Sequence, residues 1–247
     1  METETFILTI AFAVIAMVYA AVGQAGASGY IAAMGLAGFS PLAMKGTALS
    51  LNMLVALIGT VLFLRAGRLS WRSVWPFAAL GFPFSLLGGA VQLPAGLYYP
   101  IVGAVLILSA IQMARTALRC GAGPVENANP PPLAAALLTG AVIGFVSGTT
   151  GTGGGVFLAP VILAMHWGTA RQTAATTAVY NLMNSAAALL GAHAAWPHIP
   201  AALPVWLLAV GAGGLLGAVV GSRYLSDRLL RSLLAVLLLV SGVRLIV

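Results

Sequence analysis

Long apolar runs separated by short polar breaks fill almost the whole chain, and their spacing repeats. One set falls near Thr5–Val22, Tyr30–Phe39, Ala43–Leu64, Ser73–Val91 and Leu97–Ala117. A second falls near Leu133–Val146, Val156–Trp167, Thr173–Ala192, Ala201–Gly221 and Leu229–Val247. Most runs are long enough to cross a hydrocarbon core, which takes about 20 helical residues. A shift of 129 residues lays the second set on the first: Thr47 falls on Thr176, Asn52 on Asn181, Leu86-Leu87-Gly88 on Leu215-Leu216-Gly217 and Arg115 on Arg244. Upstream, the segment Gly23 to Gly29 matches Gly148 to Gly154, with four extra residues in the second copy before the register resumes. The pattern predicts an all-α polytopic membrane protein built from two repeats, residues 1–118 and 133–247, joined by a linker at 119–132. Pro130-Pro131-Pro132 closes that linker, because a helix does not run through consecutive prolines.

The second run of each copy is short. At 1.5 Å per residue Tyr30–Phe39 rises ~15 Å and Val156–Trp167 ~18 Å, and the first run of copy two reaches only ~21 Å. Each first-plus-second pair therefore predicts a hairpin with its glycine-rich turn inside the bilayer, followed by three transmembrane helices. Non-helical backbone at that depth must be covered by protein or line a cavity.

Composition supports the membrane. Hydrophobic residues make up 61% of the chain, charged residues 6%, and the mean hydropathy is +1.05. A soluble domain carries about a quarter charged residues. The acidic residues are Glu2, Glu4, Glu126 and Asp227, so the net charge of +7 reads as loop arginines facing anionic lipid. Nothing has the Lys/Arg density of a nucleic-acid module, so the expected partners are lipid and a small solute, with a homodimer as one option for assembly. Cys120, the single cysteine, has no disulfide partner in the chain and no metal-ligand company, and no metal or other cofactor is expected. Glu2 and Glu4 precede the first run, against a cleaved secretory signal.

Arginine placement sets orientation. The loop after the third run of copy one carries Arg65, Arg68 and Arg72, while its equivalent, Gly191 to Ala201, has no Lys or Arg. The next loop reverses this: Gln92 to Leu97 is uncharged, and copy two has Arg223, Arg228 and Arg231. The positive-inside rule then places equivalent loops on opposite faces, which predicts inverted-topology repeats with both termini outside. Repeats of this kind mark secondary transporters, whose substrate sites lie where the halves meet.

Candidate chemistry concentrates at the turns. The segment Ser147 to Gly155 offers backbone N–H groups freed by glycine, hydroxyl donors, and the positive end of a half-helix: an anion site without a charged side chain. From it come Thr150, Thr152, Gly153, Gly154 and Gly155; the copy-one turn supplies Gln24, Gly26, Ser28 and Gly29. Thr47 and Asn52, matched by Thr176 and Asn181, complete the expected substrate-binding set. The plainer reading is that the glycines let helices pack closely and the amides bond between helices. Lys45 and Arg171 precede the third helices, either drawing anions to the two mouths or snorkelling to the interface. His193 and His198 fall in an outer loop with Trp196, and His166 ends a half-helix.

These residues resemble the sulfite exporter TauE/SafE family. Its glycine-rich stretch and apolar run to a proline are matched by Gly151-Thr152-Gly153-Gly154-Gly155-Val156-Phe157-Leu158-Ala159-Pro160, and its alanine-threonine stretch by Ala174-Ala175-Thr176-Thr177-Ala178 and Gly46-Thr47-Ala48-Leu49-Ser50. Copy one departs, with Gly26-Ala27-Ser28-Gly29 and with Met34 where the proline would stand. The resemblance implies a transporter of sulfite, a sulfonate or a related sulfur-containing anion in a bacterial inner membrane, acting as an exporter rather than an enzyme. Two other readings stand beside it. Gly26-Ala27-Ser28-Gly29 also matches the Gly-x-Ser-Gly of rhomboid intramembrane proteases, whose serine needs a histidine base. The chain could instead serve as an accessory membrane subunit.

Overall fold

The computed structural model describes residues 2–21, 23–119, 129–224 and 227–246. Its helices are α1 (Glu2–Ala21), α2 (Ala27–Leu36), α3 (Pro41–Arg65), α4 (Trp71–Ala90), α5 (Ala95–Arg119), α6 (Leu133–Thr150), α7 (Gly155–Ala164), α8 (Ala170–Gly191), α9 (Leu203–Tyr224) and α10 (Asp227–Ile246). A 3-10 turn, His193–His198, follows α8. Five helices, α1, α3, α4, α5 and α6, are long and apolar enough to cross a membrane. No strand occurs among the described residues. Most of the expected linker, including Cys120, and the side chains of Arg223, Arg228 and Arg231 lie outside the described set.

Local signals explain the boundaries. Pro41 occupies the first turn of α3, where its missing N–H has no intrahelical partner to lose. Thr169 and Gln172 form a reciprocal capping box at the start of α8. α2 and α7, 10 residues each, are the two half-helices.

The structure corrects the expected end of the first element of copy two. α6 continues four residues past Val146, through Ser147-Gly148-Thr149-Thr150, and its 18 residues reach ~27 Å rather than ~21 Å. The hydroxyls of Ser147, Thr149 and Thr150 donate to the carbonyls of Gly144, Phe145 and Val146 at 3.1, 2.9 and 2.7 Å. These polar residues satisfy themselves within the helix instead of opening a turn.

The repeat register at the turns also changes. Gly26 and Gly154, with φ of +96° and +85°, are the N-caps of α2 and α7. Gly23 and Gly151, also left-handed, precede them by three residues in each copy. The equivalents are therefore Gly23 with Gly151 and Gly26 with Gly154, a shift of 128 residues (154 − 26). The insertion in copy two is one residue, in the connection from α7 to α8, which spans 165–169 where copy one has 37–40. Glycine identity alone suggested four, because it does not reveal which glycines take a positive φ.

Packing follows small residues. A Cβ at Gly140, Gly144 or Gly148 of α6 would strike the backbone of Phe77, Gly81 or Ser85 on α4. A Cβ at Gly213 or Gly217 of α9 would strike Ala13 or Met17 on α1. Such i, i+4 small-residue stripes bring membrane helix backbones together. Under the expected duplication α1 corresponds to α6 and α4 to α9, so that the two contacts pair corresponding helices with the copies exchanged. Likewise α3 packs on α8 and α5 on α10. α3 and α8 run antiparallel. A Cβ at Gly46 would meet Ala195 and Ile199, beyond the end of α8, whereas one at Gly59 would meet Ala178, near its start.

Candidate functional site

The two half-helices point their N-termini at one buried polar cluster. The first N–H groups of any helix have no intrahelical acceptor and carry the positive end of its dipole. Here an asparagine from the neighbouring long helix meets each of them. Asn52 Oδ1 on α3 accepts from the Ala27 N–H at 2.9 Å, and Asn181 Oδ1 on α8 accepts from the Gly155 N–H at 2.7 Å. The donors are the first residues of α2 and α7, so one device is built in each copy. Asn52 Nδ2 donates to Ser185 Oγ at 2.8 Å and ties α3 to α8. Gly153 lies between the asparagines: a Cβ there would overlap Asn52 Nδ2 and come within 3.2 Å of Asn181 Oδ1. The turns thus converge, through Gly153, on the Asn52–Asn181 pair.

The other expected residues divide. Ser28 shares a 2.8 Å hydrogen bond with the Tyr19 hydroxyl and is 1% exposed. Its partner is a tyrosine, not the histidine that a serine protease requires. Thr150 and Thr152 share a 3.0 Å hydroxyl contact, and Tyr98 donates to the Thr150 carbonyl at 3.0 Å. Gly29 serves packing, since a Cβ would collide with Ile15 and Tyr19. A Cβ at Gly26 would press on the Tyr30 hydroxyl, and one at Gly154 on Ser147 and Tyr180. Thr47 and Thr176 are buried five residues before the asparagines, and the Thr47 hydroxyl has no partner among the described residues.

A cavity of about 580 Å³ opens beside this cluster. Gln24, with Gly23 and Ala25, forms part of its lining, joined by Val55, Ala56 and Gly59 of α3 and Ala174 and Ala178 of α8. Arg68 and Arg171, both exposed, stand at its edge. Of the expected binding residues, only Gln24 lines the cavity. The first residue of α2 and its Asn52 clamp lie two to three positions along the chain from that lining. Sequence reading did not foresee Gly23 and Ala25 as lining residues; their place in a turn before a half-helix was the available signal.

Lys45 differs from both readings made of it. It neither snorkels nor stands open at a mouth: it is 3% exposed, and Nζ donates to the carbonyls of Gly88, Gly89 and Val91 at 3.1, 2.8 and 3.0 Å. Those oxygens close the C-terminal end of α4, where a cation is favoured by the helix dipole. His166, His193 and His198 are exposed at element ends, and no group of metal-ligating side chains occurs among the described residues.

Comparison with known proteins agrees with this architecture. The family model described as "Sulfite exporter TauE/SafE" matches residues 8–245. The chain is 66% identical over 246 residues to the "Probable membrane transporter protein y4hK" of Sinorhizobium fredii (strain NBRC 101917 / NGR234), covering 100% of both chains. No solved structure matches the chain.

Proposed function

The chain belongs to the sulfite exporter TauE/SafE family of membrane transporters, and from that premise we propose that it moves a small sulfur-containing anion, sulfite or a sulfonate, out across a bacterial inner membrane. The observation that carries the reading is the paired clamp. Two half-helix N-termini, each held by an equivalent asparagine, aim at one buried point. Oriented N–H groups and helix dipoles attract an anion without a permanent countercharge at the centre. Such donors are strong where the dielectric is low, yet release the ion without breaking a tight ion pair. Asn52 and Asn181 act here as positioners, since their oxygens are already occupied by Ala27 and Gly155.

The cavity supplies the approach. Arg68 and Arg171 draw anions to its mouth, and Gln24 leads toward the start of α2. The antiparallel run of α3 against α8 and the exchanged pairings support an inverted repeat, in which the halves trade conformations to alternate access. The inside-negative potential favours outward movement of an anion.

The test is uptake and efflux by the purified chain in proteoliposomes across sulfite, sulfate, thiosulfate, taurine, sulfoacetate and sulfolactate. Saturable movement of at least one sulfur anion, with a larger efflux under an inside-negative potential, is expected. Movement of none of them, by protein shown to be folded, refutes the substrate assignment.

A further inference from the structure

Lys45 has a repeat counterpart, and the two stand in different states. At the third-helix shift of 129 residues Lys45 falls on Ala174. Both face the left-handed glycine of the opposite copy's turn. A Cβ at Gly23 would lie 3.3 Å from Ala174 Cβ, and one at Gly151 would lie 3.2 Å from Lys45 Cα. Each residue thus occupies the same place in one of two related mouths. The Ala174 mouth is the cavity of about 580 Å³. The Lys45 mouth, between the end of α4 and residues 191–195, encloses about 10 Å³, too little to hold a solute.

We propose that Lys45 is the latch of the closed mouth and becomes the anion's countercharge when that mouth opens. The inference rests on the transporter reading above. Three carbonyl acceptors tie the ammonium to the last turn of α4, so α3 and α4 stay together on that side. If the copies exchange conformations, position 45 comes to line a cavity as Ala174 does now. Opening takes the ammonium off the α4 carbonyls. A cation left in so apolar a place needs a new partner, and an anion entering from that side provides one. The two mouths then differ in kind. The Arg68 side offers exposed guanidiniums and a half-buried alanine, whereas the Lys45 side offers a buried ammonium.

The test uses the full chain, with Cys120→Ser as background, in right-side-out and inverted membrane vesicles. Ala195→Cys, at a position 1% exposed beside the closed mouth, and Ala218→Cys, in the open cavity, report access by an impermeant thiol reagent. Ala195→Cys should react about tenfold more slowly than Ala218→Cys, and adding Lys45→Met should raise its rate about tenfold as the closed state loses its latch. With sulfite as the probe, Lys45→Met should raise the KM about tenfold from the Lys45 side and leave it within about twofold from the Arg68 side, as expected for losing one bond to a charged partner. Ala174→Lys, at a cavity-lining position, should lower the KM from the Arg68 side by a similar factor. Unchanged Ala195→Cys labelling on removal of Lys45 overturns the latch. Equal KM changes from both sides, or no effect of Ala174→Lys, overturns the countercharge. Should Lys45→Met fail to fold, Lys45→Gln takes its place in the labelling and decides the latch, while Ala174→Lys decides the countercharge. Labelling needs no substrate, so a chain that moves no sulfite sinks the transport reading while the latch is still read out.

Discussion

Replacing Gly153 by alanine tests whether the turn and the asparagine pair form one unit. The cost has two parts. Gly153 has φ +77°, where an L-residue is strained by about 1–2 kcal/mol. The new Cβ would also overlap Asn52 Nδ2, so the amide must move off the Ala27 N–H or off Ser185. Leaving one buried polar group unpaired adds about 1–3 kcal/mol. The expected total is about 2–5 kcal/mol. Gly38 supplies the control, because it has the same φ of +77° and nothing within 4 Å of its Cβ position. Gly38→Ala should therefore cost only the backbone part, about 1–2 kcal/mol. Reversible denaturant titration in mixed micelles measures both. Gly153→Ala with Asn52→Ala should cost less than the sum of the single changes, since the clash vanishes with the amide. If Gly153→Ala is no more damaging than Gly38→Ala, the contact with Asn52 is not part of the turn's stability and the convergence argument fails.

Asn181→Asp keeps an acceptor for the Gly155 N–H but buries an unpaired carboxylate, so it should lower stability and weaken sulfite binding about tenfold or more in a titration on protein shown to be folded; undiminished binding would move the site elsewhere. Arg68→Gln combined with Arg171→Gln should slow uptake at low ionic strength and matter little near ~1 M salt, where the Debye length is about 3 Å. A defect of the same size at every salt concentration would place these guanidiniums in the binding site itself. For topology, Ser70→Cys and Ser226→Cys in the Cys120→Ser background should both resist an impermeant thiol reagent in intact cells; labelling of either from outside would refute the inverted arrangement.

The linear sequence was enough for much of this protein. Apolar runs of about 20 residues with few charges define membrane helices in any tertiary context, because unpaired backbone is costly in lipid. The recurrence of Thr47 and Asn52 at Thr176 and Asn181 is the ground for expecting a duplication, and the short runs after each glycine turn disclosed the half-helices. The contacts that give those residues their roles were not legible. Asn52 and Asn181 find their partners 25 and 26 residues away along the chain, on another helix, and only packing decides that a capping oxygen meets Ala27 and Gly155. The extension of α6 through Ser147–Thr150 was hidden because hydroxyls serve equally in turns and as donors to their own helix. The repeat register at the turns depended on which glycines adopt positive φ, a backbone property that composition does not carry. Lys45 reads as a mouth or interface cation by position alone, yet its ammonium is buried because α4 ends where three carbonyls can surround it. The openness of one mouth and the closure of its counterpart likewise belong to tertiary structure, since the same order of elements builds both, and the lining that packing brings together at each mouth is not readable along the chain.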